Sequence, residues 1–295
     1  MEYIDAKTIV TKNKSTAWFG AMYNMNIYRG CCHGCIYCDS RSDCYRVDDF
    51  DRVRAKKDAL RIIRDDLRRK VKPGVIGTGS MSDPYNPFEK ELELTRNALS
   101  LVEAYGFGVA IATKSGLITR DIDILNGIRQ TMPVICKITV TTCDDSLAGK
   151  LEPNVTPPSG RFEAIKALSK AGIYCGILMM PVLPFITDNE ENIIGIIERA
   201  AQAGARFIYP GFGVTLRQRQ REHYLNNIER LFPEQDLEKR YVKTYGTRYS
   251  CGAPNYKKLS ELFKRRCDGA GLLYSMTDII RSYKQGYESE QLTFF

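Results

Sequence analysis

Residues 31–38 read CCHGCIYC, inside the longer run NMNIYRGCCHGCIYCDSRSDCY. Cys31, Cys35 and Cys38 stand four and then three residues apart, with Cys32 and Cys44 close by. Three thiolates on one short loop can hold a metal centre. A structural zinc site wants four tetrahedral ligands, commonly from two paired knuckles. Here one loop offers three well-spaced sulfurs and no partner pair. Cys32 or His33 would have to complete the set, and adjacent residues seldom reach one ion. Iron–sulfur clusters take closely spaced thiolates. Three thiolates on a four-iron cubane leave one iron open, which the amino and carboxylate groups of a small molecule can chelate. That is the logic of an open catalytic metal position applied to a cluster. Taken alone, the loop leaves free thiols, zinc and an iron–sulfur cluster as its readings.

The loop needs elements to hold it. VIGTGS, FGVAIATKS, VICKITVTT, IYCGILMMPVLP and ARFIYPGF read as strands, β-branched or apolar and ended by glycine, proline or small polar residues. They lack strict alternation, as expected of strands buried on both faces. Between them NPFEKELELTRNALSLVEAYG, ITRDIDILNGIRQ, SGRFEAIKALSKAG and DNEENIIGIIERAAQAG read as helices. Thr119 is a candidate N-cap, and Gly106 and Gly172 are candidate stops. A first strand is expected near Met25–Tyr28 and a long helix over residues 51–70. About six strand–helix units with short connections predict a parallel sheet with right-handed crossovers. A doubly wound sheet and an incomplete (β/α) barrel both fit. In either, chemistry belongs at the carboxyl ends of the strands. The cysteine loop falls there, and so do GTGSMSDPY, ATKS and TVTTCDD.

Composition narrows the class. The chain has 295 residues, 43% of them hydrophobic, ample for a large α/β core. Ten cysteines in a chain this long point to reduced thiols and metal rather than a disulfide scaffold. MEYIDAKTIVTKNKS shows no apolar signal core, and no run of about 18 apolar residues predicts a membrane span, so a cytoplasmic protein is expected. The formal charge is +8, concentrated in residues 51–72 and in the stretch from Leu216 to Arg266. Such a balance suits a polyanionic partner, although a solvated helix face reads the same way. After Phe212 the pattern turns to basic amphipathic helices. Residues 1–20, 21–212 and 213–295 are thus read as an N-terminal segment, the strand–helix body and a basic helical extension.

CxxxCxxC after a first strand, with Tyr37 just before the third cysteine, resembles the signature of the radical S-adenosylmethionine (SAM) enzymes. NIYRGCCHGCIYC, then SDPYNPFEKELELTR, ATKSGLITRDIDIL, KLEPNVTPPSGRFEAIKALSKAGI and MPVLPFITDNEENI are similar, in that order, to blocks of its spore photoproduct lyase-like family. The resemblance runs from about Ala6 to Phe212 and continues faintly in CGAPNYKKLSELFKRRC. It implies a partial (β/α)6 TIM-type barrel with a helical C-terminal extension, a [4Fe-4S] cluster and SAM. Reductive cleavage of SAM would give a 5′-deoxyadenosyl radical that takes hydrogen from substrate. The resemblance also implies a low-potential donor such as a ferredoxin or flavodoxin, and a substrate such as damaged or modified DNA. A peptide or small-molecule substrate is an alternative, and a non-catalytic iron–sulfur or zinc protein that binds nucleic acid is another.

The implied roles fall on particular residues. Cys31, Cys35 and Cys38 would ligate the cluster; Cys32 and Cys44 are bystanders, and His33 either tunes the cluster or packs. Tyr37 would lie against adenine or the cluster. Gly79, Ser80, Ser82 and Asp83 would face the methionine ammonium, for which carbonyls, hydroxyls and a carboxylate are suitable acceptors, although Ser-Asp-Pro also makes a good turn. Lys114 would pair with the methionine carboxylate, Thr139 and Thr141 or Thr142 would face the ribose, and Met180 with Pro181 the adenine. The lyase that gives the family its name carries a cysteine where Ser80 stands, and that thiol returns a hydrogen atom. A serine O–H bond is too strong for that task, so this chain is not expected to be that lyase. Cys143, Cys251 and Tyr249 are the candidates for a substitute donor or relay, against the simpler role of Cys251 as a buried core thiol. Finally, SEQLTFF at the C-terminus resembles the short peptides that dock on a sliding clamp, an apolar anchor with one glutamine hydrogen bond.

Overall fold

A computed structural model describes residues 1–70 and 72–287. The clamp-like segment at 291–295 lies outside the described residues. Six strands carry the body: β1 (Tyr23–Met25), β2 (Val75–Thr78), β3 (Gly108–Thr113), β4 (Val134–Thr139), β5 (Cys175–Met179) and β6 (Ile208–Pro210). All are parallel and lie side by side in chain order. Val10–Lys12 adds an antiparallel edge beside β1. A doubly wound sheet would reverse its strand order partway. This sheet does not, so the fold is the partial barrel of the two candidates.

Helices α1 (Ala59–Arg68), α2 (Leu94–Ala104), α3 (Ile122–Ile128), α4 (Pro158–Lys170) and α5 (Glu190–Gln202) follow β1 to β5. They cover the outer face, where Leu99, Val102, Leu125, Ile165, Leu168, Ile193 and Ile196 pack against Val109, Ile111, Cys136, Ile138 and Ile177. Alternate residues of the same strands point inward. Val75, Ala110, Ile135, Leu178 and Phe207 form a separate inner cluster with Phe19 and with Ile279 and Tyr283. Each strand is therefore apolar on both faces, which is why sequence alternation was absent.

Two expectations are corrected. The basic stretch from residue 51 does not start as a helix. Arg54–Lys56 forms a strand, paired with Glu2–Ile4 and Tyr28–Arg29, and α1 begins only at Ala59. Short pairing partners far apart in sequence override the local helical pattern. Thr119 caps nothing: Gly116–Asp121 is a 3-10 turn capped by Ser115, and Thr119 donates to the Gly116 carbonyl at 2.9 Å.

The C-terminal segment wraps the body. Helices α6 (Gln220–Leu231) and α7 (Leu237–Tyr245) pack Tyr224, Ile228, Leu237 and Tyr241 in one cluster with Cys35, Ile36 and Tyr37 of the cysteine loop. Helix α8 (Tyr256–Ala270) lies on α5, and α9 (Met276–Lys284) closes the amino end of the barrel, its Tyr283 hydroxyl donating to the Phe19 carbonyl at 2.7 Å. Among the described residues no helix is long and apolar enough to cross a membrane.

Candidate active site

The cysteine loop leaves the sheet at Gly30, whose φ of 79° belongs to the left-handed region. A Cβ there would overlap the Arg52 carbonyl oxygen, so the close approach requires glycine. Backbone bonds then fix the loop. Cys31 N–H donates to Phe50 O at 2.8 Å, Ile36 N–H to Leu151 O at 3.0 Å, and Asn154 N–H to His33 O at 3.2 Å. Cys35 is buried, and Cys31 and Cys38 are half-buried. The three thiols act on one another electrostatically, so they share one space. Burial pushes Cys31 up to about 12, with Asp83 adding to the rise. Burial pushes the Cys35 thiol up as well, and the Lys114 ammonium opposes it. Thiolates here need a cationic centre to replace the protons. Among the described residues no three His, Cys, Asp or Glu side chains gather closely enough for a single metal ion. A cubane asks for less, because each thiolate binds a different iron. The loop fits that group.

Cys32 and Cys44 stand apart from the trio. Cys32 packs against the outer core, while exposed Cys44 accepts from Arg217 at 3.1 Å.

Behind the loop lies a buried network. The Tyr37 hydroxyl donates to Glu152, whose other oxygen takes the Arg161 guanidinium. Both charged side chains are fully buried. Arg161 also donates to the carbonyls of Thr139 at 2.9 Å and Thr156 at 2.6 Å. The Thr141 hydroxyl donates to Glu152 at 3.1 Å. Thr141 therefore does not offer a free hydroxyl to a ribose, and Tyr37 is tied at its polar end. Glu152 and Arg161 were not singled out from sequence. Both lie in the block KLEPNVTPPSGRFEAIKALSKAGI, but 115 residues separate Glu152 from Tyr37, so nothing local in the sequence pairs them.

The strand ends supply the other wall. Gly79, at the end of β2, has φ 90°, and a Cβ there would overlap the Ala112 carbonyl oxygen. Asp83 is committed within the protein. One oxygen accepts from the Thr113 hydroxyl at 2.6 Å and Tyr85 N–H at 2.9 Å; the other accepts from Lys114 N–H at 2.8 Å and lies 3.5 Å from His33 Nδ1. Ser82 donates to Tyr28 O at 3.0 Å. Both residues shape the rim rather than project acceptors from it. Lys114 points its ammonium over the Tyr37 ring, 5.7 Å from the ring centre. Thr139 shares the inner face of β4 with Ile135, and Met180 packs beside the inner cluster.

A cavity of about 610 Å³ occupies the barrel interior, within the usual size of a small-molecule site. It runs from Gly79 and Ser80 down to Lys137, with Asn24, Ala112 and Trp18 on its walls. Lys137 is a further residue that sequence reading missed.

The three candidate hydrogen donors do not meet there. Cys143 lies 3.9 Å from Asn192 Oδ1, against α5 on the outer side. Cys251 is buried among Tyr224, Tyr241 and Tyr245, and Tyr249 is exposed with its hydroxyl accepting from Arg217 at 2.8 Å. The sequence reading places Cys143 at the end of the fourth strand, but β4 stops at Thr139 and Cys143 lies beyond it, turned outward against α5.

An open six-stranded barrel with three thiols on the loop after β1 defines a radical SAM domain. The family model for the radical SAM superfamily matches residues 25–200, and the chain belongs to that superfamily. It is therefore an enzyme that pairs a [4Fe-4S] cluster with SAM and draws its electron from an external low-potential donor. The chain is 30% identical over 246 residues to the uncharacterized protein Rv2578c of Mycobacterium tuberculosis, covering 81% of this chain and 72% of that one. It is 30% identical over 217 residues to the uncharacterized protein MJ0683 of Methanocaldococcus jannaschii, covering 73% and 78%. Among solved structures, spore photoproduct lyase complexed with dinucleoside spore photoproduct superposes with a TM-score of 0.66 at 15% identity, covering 93% of this chain and 81% of that one. The radical SAM methyltransferase TsrM of Kitasatospora setae superposes with a TM-score of 0.52 at 10% identity, covering 70% and 38%.

Proposed function

We propose that this enzyme acts on a nucleic-acid substrate held in the barrel interior, with Cys31, Cys35 and Cys38 as the cluster ligands. The cluster and SAM, when bound, supply a 5′-deoxyadenosyl radical that abstracts hydrogen from substrate. The chain's own residues bind, orient and exclude water. Gly79 and Ser80 sit where the rim opens into the cavity, and Lys114 stands between the cysteine loop and the end of β3 as a point charge for a carboxylate. Thr139 lies on the inner face of β4 and Met180 packs beside the inner cluster, outside the residues that line the cavity. The Glu152–Arg161 pair holds Tyr37, and through it the loop, against β4.

The observation that carries the reading is the cavity, which starts at Ser80 and is large enough for a nucleoside. The likeness to a lyase solved with a dinucleoside supports it. So does the exposed basic face of α8, where among the described residues Lys257, Lys264 and Arg265 carry no ion pair, while Lys258 and Arg266 pair with Glu190 and Glu198. Among the described residues no cysteine lines the cavity, so hydrogen return by a thiol is not part of this reading. A ferredoxin or flavodoxin supplies the electron, and the terminal QLTFF segment docks the enzyme on a sliding clamp.

The test is anaerobic reconstitution followed by quantitation of 5′-deoxyadenosine with and without oligonucleotides. Oligonucleotide-stimulated formation, with binding that weakens steeply as salt rises, is the expected result. Turnover indifferent to every nucleic acid form, together with salt-independent binding, refutes the substrate class.

A further inference from the structure

Lys137 stands in the middle of β4, on the inner face, where a strand buried on both sides normally carries an apolar residue. It is 2% exposed. Its Nζ donates to the Ala110 carbonyl at 3.2 Å and lies 4.7 Å from the centre of the Phe19 ring. Among the described residues it has no carboxylate partner, and burial holds the amine down at about 7. An unpaired buried amine costs folding free energy, and methionine would fill the same space without that cost. The residues around it leave room instead of filling it. Gly77 and Ala112 have little or no side chain, and the cavity reaches the lysine from Ser80.

The walls have a definite chemistry. The Lys137 amine, with N–H groups to spare, stands at the floor, and Lys14 lines the same space. The Asn24 amide lines the same space from β1, its oxygen 3.5 Å from the Ser80 hydroxyl. The Trp18 indole is half free at the rim, edge-on to Phe19 and Tyr209. Among the described residues no carboxylate lines the space, so it offers no negative charge to a cationic ligand.

We propose that this interior is a nucleobase pocket in which Lys137, aided by Asn24, selects a ring bearing an exocyclic oxo group over one bearing an amino group. The inference rests on the nucleic-acid reading and adds to it the kind of base taken. The protonated amine donates to an oxo oxygen, whereas an exocyclic amino group presents a donor to a donor. A buried polar group left without its partner makes such a site discriminate strongly. A base of a duplex must leave the stack to reach this depth, and Trp18 offers it a new stacking surface.

Matched dinucleotides differing in that group and in the ring N–H beside it test the assignment: deoxyinosine against deoxyadenosine, and deoxyuridine against deoxycytidine. Binding to the reconstituted holoprotein with SAM is measured for wild type, Lys137→Met and Lys137→Gln. Cluster absorbance and SAM affinity serve as controls that each variant is folded. The expected result is a preference of roughly tenfold to a hundredfold for the oxo member, lost in Lys137→Met and partly kept by Lys137→Gln, which retains an N–H donor. Where Lys137→Met fails to hold its cluster, Lys137→Gln and Asn24→Ala decide, and an undiminished preference in both overturns the assignment. So does a preference that survives in folded Lys137→Met. Wild type that binds oxo and amino members alike leaves nucleic acid as substrate and removes the selection. Wild type that binds none of the four, and no longer oligonucleotide either, sinks the substrate class and the pocket together.

Discussion

The Tyr37 hydroxyl and the Glu152 carboxylate are hydrogen-bonded in the interior, and Arg161 holds the same carboxylate from the other side. Tyr37 lies between two of the loop cysteines and Arg161 lies on α4, so this bond joins the cluster loop to the barrel. Removing one member of a fully buried pair strands the other charge, at about 3–5 kcal/mol. Arg161→Leu is expected to lower the urea midpoint sharply and to weaken retention of iron. The double variant Arg161→Leu with Glu152→Gln removes the stranded charge and is expected to recover much of the loss. Additive losses in the double variant would show that the two residues act independently.

The thiols divide into two sets. Cys31, Cys35 and Cys38 share one space, whereas Cys32 backs onto the outer core and Cys44 faces solvent beside Arg217. Alanine at any of the first three is expected to bring iron from about four per chain to a small fraction of that, with loss of the brown colour. Alanine at Cys44 is expected to leave iron and colour unchanged. Iron and sulfide analysis after anaerobic reconstitution checks both. Full iron in Cys35→Ala would remove the assignment.

How much of this was legible beforehand follows from which signals are local. The thiol spacing, the strand–helix alternation and the placement of Gly79 and Ser80 at a strand end are encoded within a few residues, and the structure agrees with them. Face and partner are not local. Cys143 follows β4 but turns toward α5, and Asp83 and Ser82 look like free acceptors until their partners at Thr113, Lys114 and Tyr28 come close. Glu152 and Arg161 are ordinary helix-flank residues in the sequence; only the fold makes them a buried pair. Lys137 in VICKITVTT reads as strand filler because both faces of a parallel strand are apolar, so alternation gives no hint of which side the lysine takes.

Gly79 has φ 90°, and a Cβ added there would overlap the Ala112 carbonyl oxygen of the neighbouring strand. Alanine there meets both a disfavoured backbone conformation and a clash, with a cost on the order of 1–3 kcal/mol. Since the clash must be relieved by moving the rim that leads to Ser80, Gly79→Ala is expected to weaken SAM binding more than it lowers the melting temperature. Unchanged SAM affinity in a folded Gly79→Ala protein would show that the rim does not depend on this close approach.

Lys137 makes stability depend on pH in a direction opposite to that of ordinary paired lysines. Its folded-state amine titrates at about 7, pulled down by burial, while in the unfolded chain it titrates near about 10.4. Below the folded value both states hold the proton, and the folded state bears the whole cost of a buried ammonium. As pH rises from about 7 toward 10 the unfolded chain binds the extra proton, so stability rises with pH. The Cys136 thiol beside it, pushed up by burial, stays protonated through this range, and the Ala110 carbonyl and Phe19 ring do not titrate. Lys137→Met is therefore expected to be more stable than wild type at about pH 6, by an amount on the order of 2–5 kcal/mol, and the gain is expected to shrink steadily toward about pH 10. Urea midpoints for the two proteins across that range check it. A gain that is absent at low pH, or constant with pH, would mean that the amine is not buried as a strained cation. It would then need no ligand to explain its place in the barrel.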